Sequence, residues 1–150
     1  MAYEISTTIE IAATPENVWA VLADLASYPQ WHPMYQAVTG QLAAGSSLSI
    51  TSTHPASGRS MTAKVKVLAA EPETELRWVS KLAGLTISER TFRLSPAAGG
   101  TSLVQAASYR GLGRSRSRAM IKTVARIEDS FAAINQAIKQ QAEARQQAPG

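Results

Sequence analysis

From Ile5 to Ile11 the chain alternates: Ile5, Thr7, Ile9 and Ile11 share one phase, and Ser6, Thr8 and Glu10 share the other. A period of two in β-branched residues predicts a strand. The segment Ala12-Ala13-Thr14-Pro15-Glu16 then opens a helix. Thr14 can cap it, Pro15 tolerates the first helical position because it has no N–H to leave unpaired, and Glu16 suits the positive end of the helix dipole. Val18, Trp19, Val21, Leu22 and Leu25 supply its apolar face. Pro29 and Pro33 forbid a long continuation, so a single turn and a bend are expected across Ser27–Pro33.

Between Met34 and Arg110 the pattern becomes short β segments, predicted at 35–43, 47–54, 60–70, 75–82, 86–95 and 101–110. The separators, among them Ala44-Gly45 and Pro96 to Gly100, are short enough for hairpins, which implies an antiparallel meander. Met61, Ala63, Val65 and Val67 alternate with Thr62, Lys64 and Lys66, and Phe92 and Leu94 alternate with Thr91 and Arg93. A sheet with one dry and one wet face is antiparallel in character. After Gly113 the period changes: Met120, Val124, Ile127, Phe131, Ile134 and Ile138 step by three and four along one amphipathic helix reaching about Ala144. A helix of roughly 30 residues is about 45 Å long. It alone is long enough to cover the dry face of a seven-stranded sheet, and such a sheet curls. The expected architecture is therefore α+β: a curved seven-stranded antiparallel sheet wrapped around one long C-terminal helix, with two short helices between strands 1 and 2. The domain is expected to span 1–146, with 147–150 and the neighbouring Gln146 as a frayed tail.

Several stretches resemble a known family. The opening strand, Thr14-Pro15-Glu16-Asn17-Val18-Trp19, Leu22-Ala23-Asp24 and Tyr28-Pro29-Gln30-Trp31-His32-Pro33 are similar to the START-like (helix-grip) superfamily, in its polyketide cyclase/dehydrase and lipid-transport branch. The likeness continues through Val65 to Pro72, Glu75-Leu76-Arg77-Trp78 and Phe92 to Pro96. It implies a cavity between the concave face and the last helix, opening near 28–35, and a small hydrophobic or amphipathic guest that is carried, sensed or sequestered. The alternative it implies is a cyclase/dehydrase-type enzyme using polar groups in the same cavity. Relatives commonly have Asn where this chain has His32, and often a His at Arg90 and a Glu at Ala107. Chemistry depending on those groups is not carried over.

Strand phase then nominates the lining. Arg90 runs in phase with Phe92 and Leu94 and should face inward. A buried charge needs an acid, the cavity mouth or an anionic ligand, unless strand twist turns it to water. Gln105 and Tyr109 share phase with Leu103 and Ala107 and bring hydrogen-bonding groups inside, although Tyr109 also suits a core aromatic with its hydroxyl at the rim. Ser80 follows the phase of Trp78. Trp31, His32 and Tyr35 flank the bend as an aromatic gate, and Ile127 and Phe131 form the floor from the helix, or simply pack the core. His32 is the candidate neutral-pH acid or base near the mouth, with a backbone-bonded turn residue as its alternative. With Arg90 and Tyr109 it makes up the candidates for catalysis. His54 falls in a loop and reads as solvated.

Composition narrows the classes further. The 150 residues include no cysteine, which removes thiolate chemistry and disulfides and fits a cytoplasmic protein. The N-terminus lacks the basic and apolar regions of a secretory signal, and no apolar run approaches the length needed to cross a bilayer. There is no phosphate loop, dinucleotide fingerprint, nucleophile elbow or metal motif, so no cofactor or metal is expected. The net charge of +4 owes much to Arg110, Arg114, Arg116, Arg118, Lys122 and Arg126, a run without acids. It reads as a solvated face or as a contact for anionic membrane surfaces through Arg114, Arg116, Arg118 and Lys122. Without interleaved aromatics it argues against single-stranded nucleic acid. Monomer and homodimer are both open.

Overall fold

The computed structural model describes residues 3–53, 58–82, 86–110 and 118–147, with side chains for all of these except 3, 81–82, 86–87 and 118–128. His54, Arg114 and Arg116 lie outside the described residues, and the side chains of Arg118, Lys122 and Ile127 lie outside the described side chains.

Strand β1 (Tyr3–Ile11) leads through Thr14 into helix α1 (Pro15–Ala23). The Thr14 hydroxyl accepts from Asn17 N at 3.3 Å, so the cap forms as the sequence predicts. A 3₁₀ turn over Leu25–Ser27 and a single-turn helix α2 (Tyr28–Trp31) make the bend. Then come β2 (Tyr35–Gly40), β3 (Ser47–Thr53), β4 (Ser60–Glu71), β5 (Glu75–Leu82), β6 (Thr86–Ala97), β7 (Gly100–Arg110) and helix α3 (Arg118–Gln147). Among the described residues the seven strands form one antiparallel sheet in the order β1-β7-β6-β5-β4-β3-β2, so the chain's first strand closes against its last.

Three boundaries differ from the sequence expectation. The second strand stops at Gly40 rather than at 43, because Gly40 adopts φ +125 and the chain turns through hydrogen bonds of Ala43 N to Gln41 O and Ser46 N to Ala43 O. The β6–β7 hairpin is tighter than a Pro96–Gly100 loop: Pro96 pairs with Thr101 and Ala97 with Gly100. Gln146 is no frayed tail. Its side-chain oxygen accepts from Thr14 N at 3.1 Å and from Asn17 Nδ2 at 2.6 Å.

One side of the sheet is lined by Val65, Val67, Leu76, Trp78, Phe92, Leu94 and Leu103, all buried. Over them lie Phe131, Ile134, Ile138 and Ala142 of α3, each spaced by three or four residues and each essentially inaccessible. Met61 is in phase with this face yet 46% exposed. Strand phase selects the side of the sheet, not the depth of cover. The C-terminal half of α3 is also bound to the other end of the fold. Glu143 accepts from Ala12 N at 2.8 Å, and Lys139 donates to the Glu10 carbonyl at 3.0 Å.

Candidate functional site

The rows of the sheet run across the concave face in a graded series. Farthest from α1, Tyr109 pairs with Ser88, and Ser88 with Ser80. The next row is Ile5, Ala107, Arg90 and Trp78, followed by Thr7, Gln105, Phe92 and Leu76. Beyond them Ile9, Leu103 and Leu94 are wholly apolar. Among the described residues the buried apolar side chains accordingly fall into two clusters. The larger holds Leu22, Tyr28, Val67, Trp78, Leu94, Leu103, Ile134 and Ile138 among others, and the smaller holds Ile5, Ala107, Tyr109 and Phe131.

Polar side chains occupy the division between the clusters. Arg90 Nη1 donates to Gln105 Oε1 at 3.3 Å, and Gln105 Nε2 donates to Asn135 Oδ1 at 2.7 Å. Asn135 Nδ2 donates to Thr7 Oγ1 at 2.9 Å, and Thr7 donates to the Gln105 carbonyl at 3.0 Å. Every donor points the same way along this relay, which fixes both amide orientations. Gln105 and Asn135 are 0% and 4% exposed, so the bond between them is shielded from water and correspondingly strong, while those to Arg90 and Thr7 are part-buried. Arg90 is half-buried, its guanidinium carbon 4.5 Å from the centre of the Phe131 ring. That is a cation–π arrangement. Its Nε is buried and meets no acceptor among the described residues.

The bend forms a second group. His32 stacks on Tyr35 with ring centres 3.8 Å apart and planes 5° from parallel, and Tyr28 and Trp31 pack against the His32 ring. His32 Nδ1 accepts from Met34 N at 3.1 Å and Tyr35 N at 3.0 Å. Burial, with the nearby Arg90 charge as the second cause, lowers its pKa to about 3. The ring is therefore neutral, and its Nδ1 is occupied in holding the turn, the backbone-bonded alternative for this residue. Tyr28 is buried, and its hydroxyl donates to the Leu22 carbonyl at 2.6 Å. Burial, followed by Tyr35 and Asp24, pushes that phenol above its ordinary range.

Of the residues nominated from sequence, Arg90, Gln105, Phe92, Tyr109 and Phe131 come together on the concave face, with Ser80 half-buried one row from Arg90. Trp31, His32 and Tyr35 form the separate aromatic group, which the Arg90 charge reaches electrostatically. Three participants were not nominated. Ser88 could have been found from its phase with Arg90. Thr7 shares the phase of Ile5 and Ile9, which by itself indicates no role. Asn135 carries no sequence signal, because the helix stripe is marked by its apolar residues.

On the opposite face of the same strands lies a groove of about 500 Å³, lined by Glu4, Ser6, Glu89, Thr91, Ser108 and Arg110 among others. There Glu89 sits between Arg77 at 3.4 Å and Arg110 at 4.0 Å. Among the described residues no cluster of three or more His, Asp or Glu is placed to hold a metal, and no helix is long and apolar enough to cross a membrane.

No curated protein sequence matches the chain. Solved structures match its fold at low identity. The di-domain ARO/CYC StfQ from the steffimycin biosynthetic pathway superposes with TM-score 0.79 at 13% identity, over 97% of this chain and 52% of that one. A START superfamily protein from Mycobacterium smegmatis gives 0.74 at 19% identity, over 95% and 98% of the two chains. A Rhodobacter sphaeroides protein gives 0.74 at 22%, over 95% and 93%. At these identities the likeness is one of fold, the helix-grip arrangement of curved sheet and C-terminal helix. The profile of the polyketide cyclase/dehydrase and lipid transport family matches residues 2–143, and the chain belongs to that family.

Proposed function

We propose that the chain binds a small hydrophobic or amphipathic molecule between the concave face of its sheet and α3, as a carrier, sensor or sequestering protein. The observation that carries this reading is the division of the core. Apolar side chains of a domain usually join one contiguous core with small satellite clusters beside it. Here, among the described residues, what stands between the main cluster and the smaller one is a half-buried arginine with two buried amides, polar groups that apolar packing alone does not require. Polar groups set into an apolar surface fix the orientation of a ligand, which is their usual role in small-molecule sites. The aromatic group of Tyr28, Trp31, His32 and Tyr35 would form the wall nearest the bend.

The test is a titration with 1-aminoanthracene, an uncharged fluorophore that brightens in apolar surroundings, together with native mass spectrometry of freshly purified protein. Saturable binding of about one probe per chain, or a co-purifying amphipath displaced by the probe, is the expected result. Absence of both removes the container reading.

A second reading, a cyclase/dehydrase-type enzyme, is favoured by one observation: the inward Arg90 guanidinium is placed to polarise a carbonyl within the same space. With His32 Nδ1 engaged by two backbone amides and the ring resisting protonation, the proton-handling group in this reading would be Tyr109 or the substrate itself. Loss of turnover of a polyketide substrate in both Arg90→Gln and Tyr109→Phe would support this reading, and full turnover in both would end it.

A further inference from the structure

Consecutive residues Glu89 and Arg90 point to opposite faces of β6 and meet opposite fates. Glu89 is bracketed by Arg77 and Arg110 on the outer face. Arg90, on the inner face, has Ala107 and Trp78 as strand partners, the Phe131 ring against its guanidinium, and the neutral Gln105 as acceptor. The buried polar side chains of the described core are His32, Thr101, Gln105 and Asn135, none of them an acid. Nor does His32 add charge, since burial keeps it neutral. The outer Arg77 also has a buried Nε without a partner, but its charge is met by Glu89. Arg90 differs: among the described residues its charge meets no anion.

A guanidinium offers two edges. The end edge of Arg90 is engaged through Nη1, whereas the side edge, Nε with Nη2, is the one carrying the unpartnered donor. Two parallel N–H donors on that edge match the two oxygens of a carboxylate. The Phe131 ring and the Gln105 bond hold the guanidinium in place, which lowers the cost of ordering it when a ligand is taken up. Among the described residues the surroundings of Arg90 are otherwise neutral, so its one positive charge balances a monoanion and leaves a dianion half-compensated. Resting on the container reading above, we infer that the guest is an amphipathic carboxylic acid whose ionised head is held by the Nε–Nη2 edge of Arg90.

The experiment compares dodecanoate, methyl dodecanoate and dodecyl phosphate as competitors for bound 1-aminoanthracene at about pH 8, where the carboxylic acid is fully ionised. Dodecanoate is expected to bind at least about tenfold more tightly than the ester, the usual scale for a shielded charge-assisted pair. Dodecyl phosphate is expected to bind no better than dodecanoate. Arg90→Gln should bring acid and ester within about twofold of each other, and Arg90→Lys should keep only part of the preference. Equal binding of acid and ester by the unmodified protein overturns the inference while leaving the container intact. So does a preference that survives in Arg90→Gln, and tighter binding of the phosphate overturns the carboxylate assignment. If acid and ester both fail to bind, the container reading falls and the headgroup assignment falls with it. Should Arg90→Gln fail to fold, the acid-to-ester ratio of the unmodified protein still decides the matter.

Discussion

Gln105 and Asn135, thirty positions apart in sequence, join β7 to α3 through a buried hydrogen bond of 2.7 Å. Asn135→Leu leaves Gln105 Nε2 with only the Phe131 carbonyl at 3.4 Å and removes the donor to Thr7. An unsatisfied buried amide should lower stability by about 2–3 kcal/mol in urea unfolding, with the denaturant slope unchanged. Gln105→Leu combined with Asn135→Leu should cost clearly less than the sum of the single changes, because removing both partners leaves less unsatisfied. Additive losses would show that the relay is not a coupled unit.

The His32 imidazole makes stability depend on acid in a defined window. Its folded pKa of about 3 lies below the ordinary 6.5, so the unfolded chain takes up the proton first. The contribution is complete above pH 6.5 and is lost as pH falls toward 3. It amounts to on the order of a few kcal/mol. Asn at this position can still accept from the Met34 and Tyr35 amides in an Asx turn. His32→Asn should therefore keep the fold and flatten the stability profile across that window, leaving only the carboxylate contribution. An unchanged slope would contradict the assignment.

Tyr28 behaves in the opposite sense at alkaline pH. Its phenol is raised above the ordinary value of 10.0 by burial, so the protonated form is favoured in the fold and its contribution is lost only as pH rises past 10. In an alkaline absorbance titration, the Tyr28 phenol should ionise only as the protein unfolds. Tyr28→Phe should remove that feature and cost about 1–2 kcal/mol, since the Leu22 carbonyl loses its buried partner.

Two adjacent glycines at the β6–β7 turn should respond very differently to a methyl group. A Cβ on Gly100 would collide with the Ile11 carbonyl oxygen and stand 2.9 Å from Ala13 N, both backbone atoms that cannot rotate aside. Gly99 has φ +84 but nothing within 4 Å of the added carbon. Gly100→Ala should cost about 3 kcal/mol and Gly99→Ala about 1 kcal/mol in thermal or urea unfolding. Comparable losses would mean that the approach of β7 to the β1–α1 junction is looser than it stands.

The sequence made the fold legible because strand phase and helix period are local signals. Thr14, Pro15 and the Phe131–Ile134–Ile138 spacing announce their elements without reference to anything distant. The inward course of Arg90, Gln105 and Tyr109 followed from alternation alone. What alternation cannot supply is partnership. Nothing near Asn135 in the chain indicates Gln105 or Thr7, and nothing near Gln146 indicates the start of α1. His32 was legible as a bend residue, but its neutrality depends on burial beneath Tyr28 and Tyr35 and on a charge from a strand more than fifty positions away. Apolar counting along α3 also concealed Asn135, since a polar residue on a dry stripe is informative only when its partners are known.

The opposite orientations of Glu89 and Arg90 also guard the alignment of β6. A slip of one residue would turn the carboxylate toward the electron-rich face of Phe131 and set a third guanidinium between Arg77 and Arg110. Both faces would then oppose the misaligned strand through electrostatic repulsion. The dipeptide thereby acts as a proofreading mark for assembly, selecting the one pairing in which each charge finds its proper side.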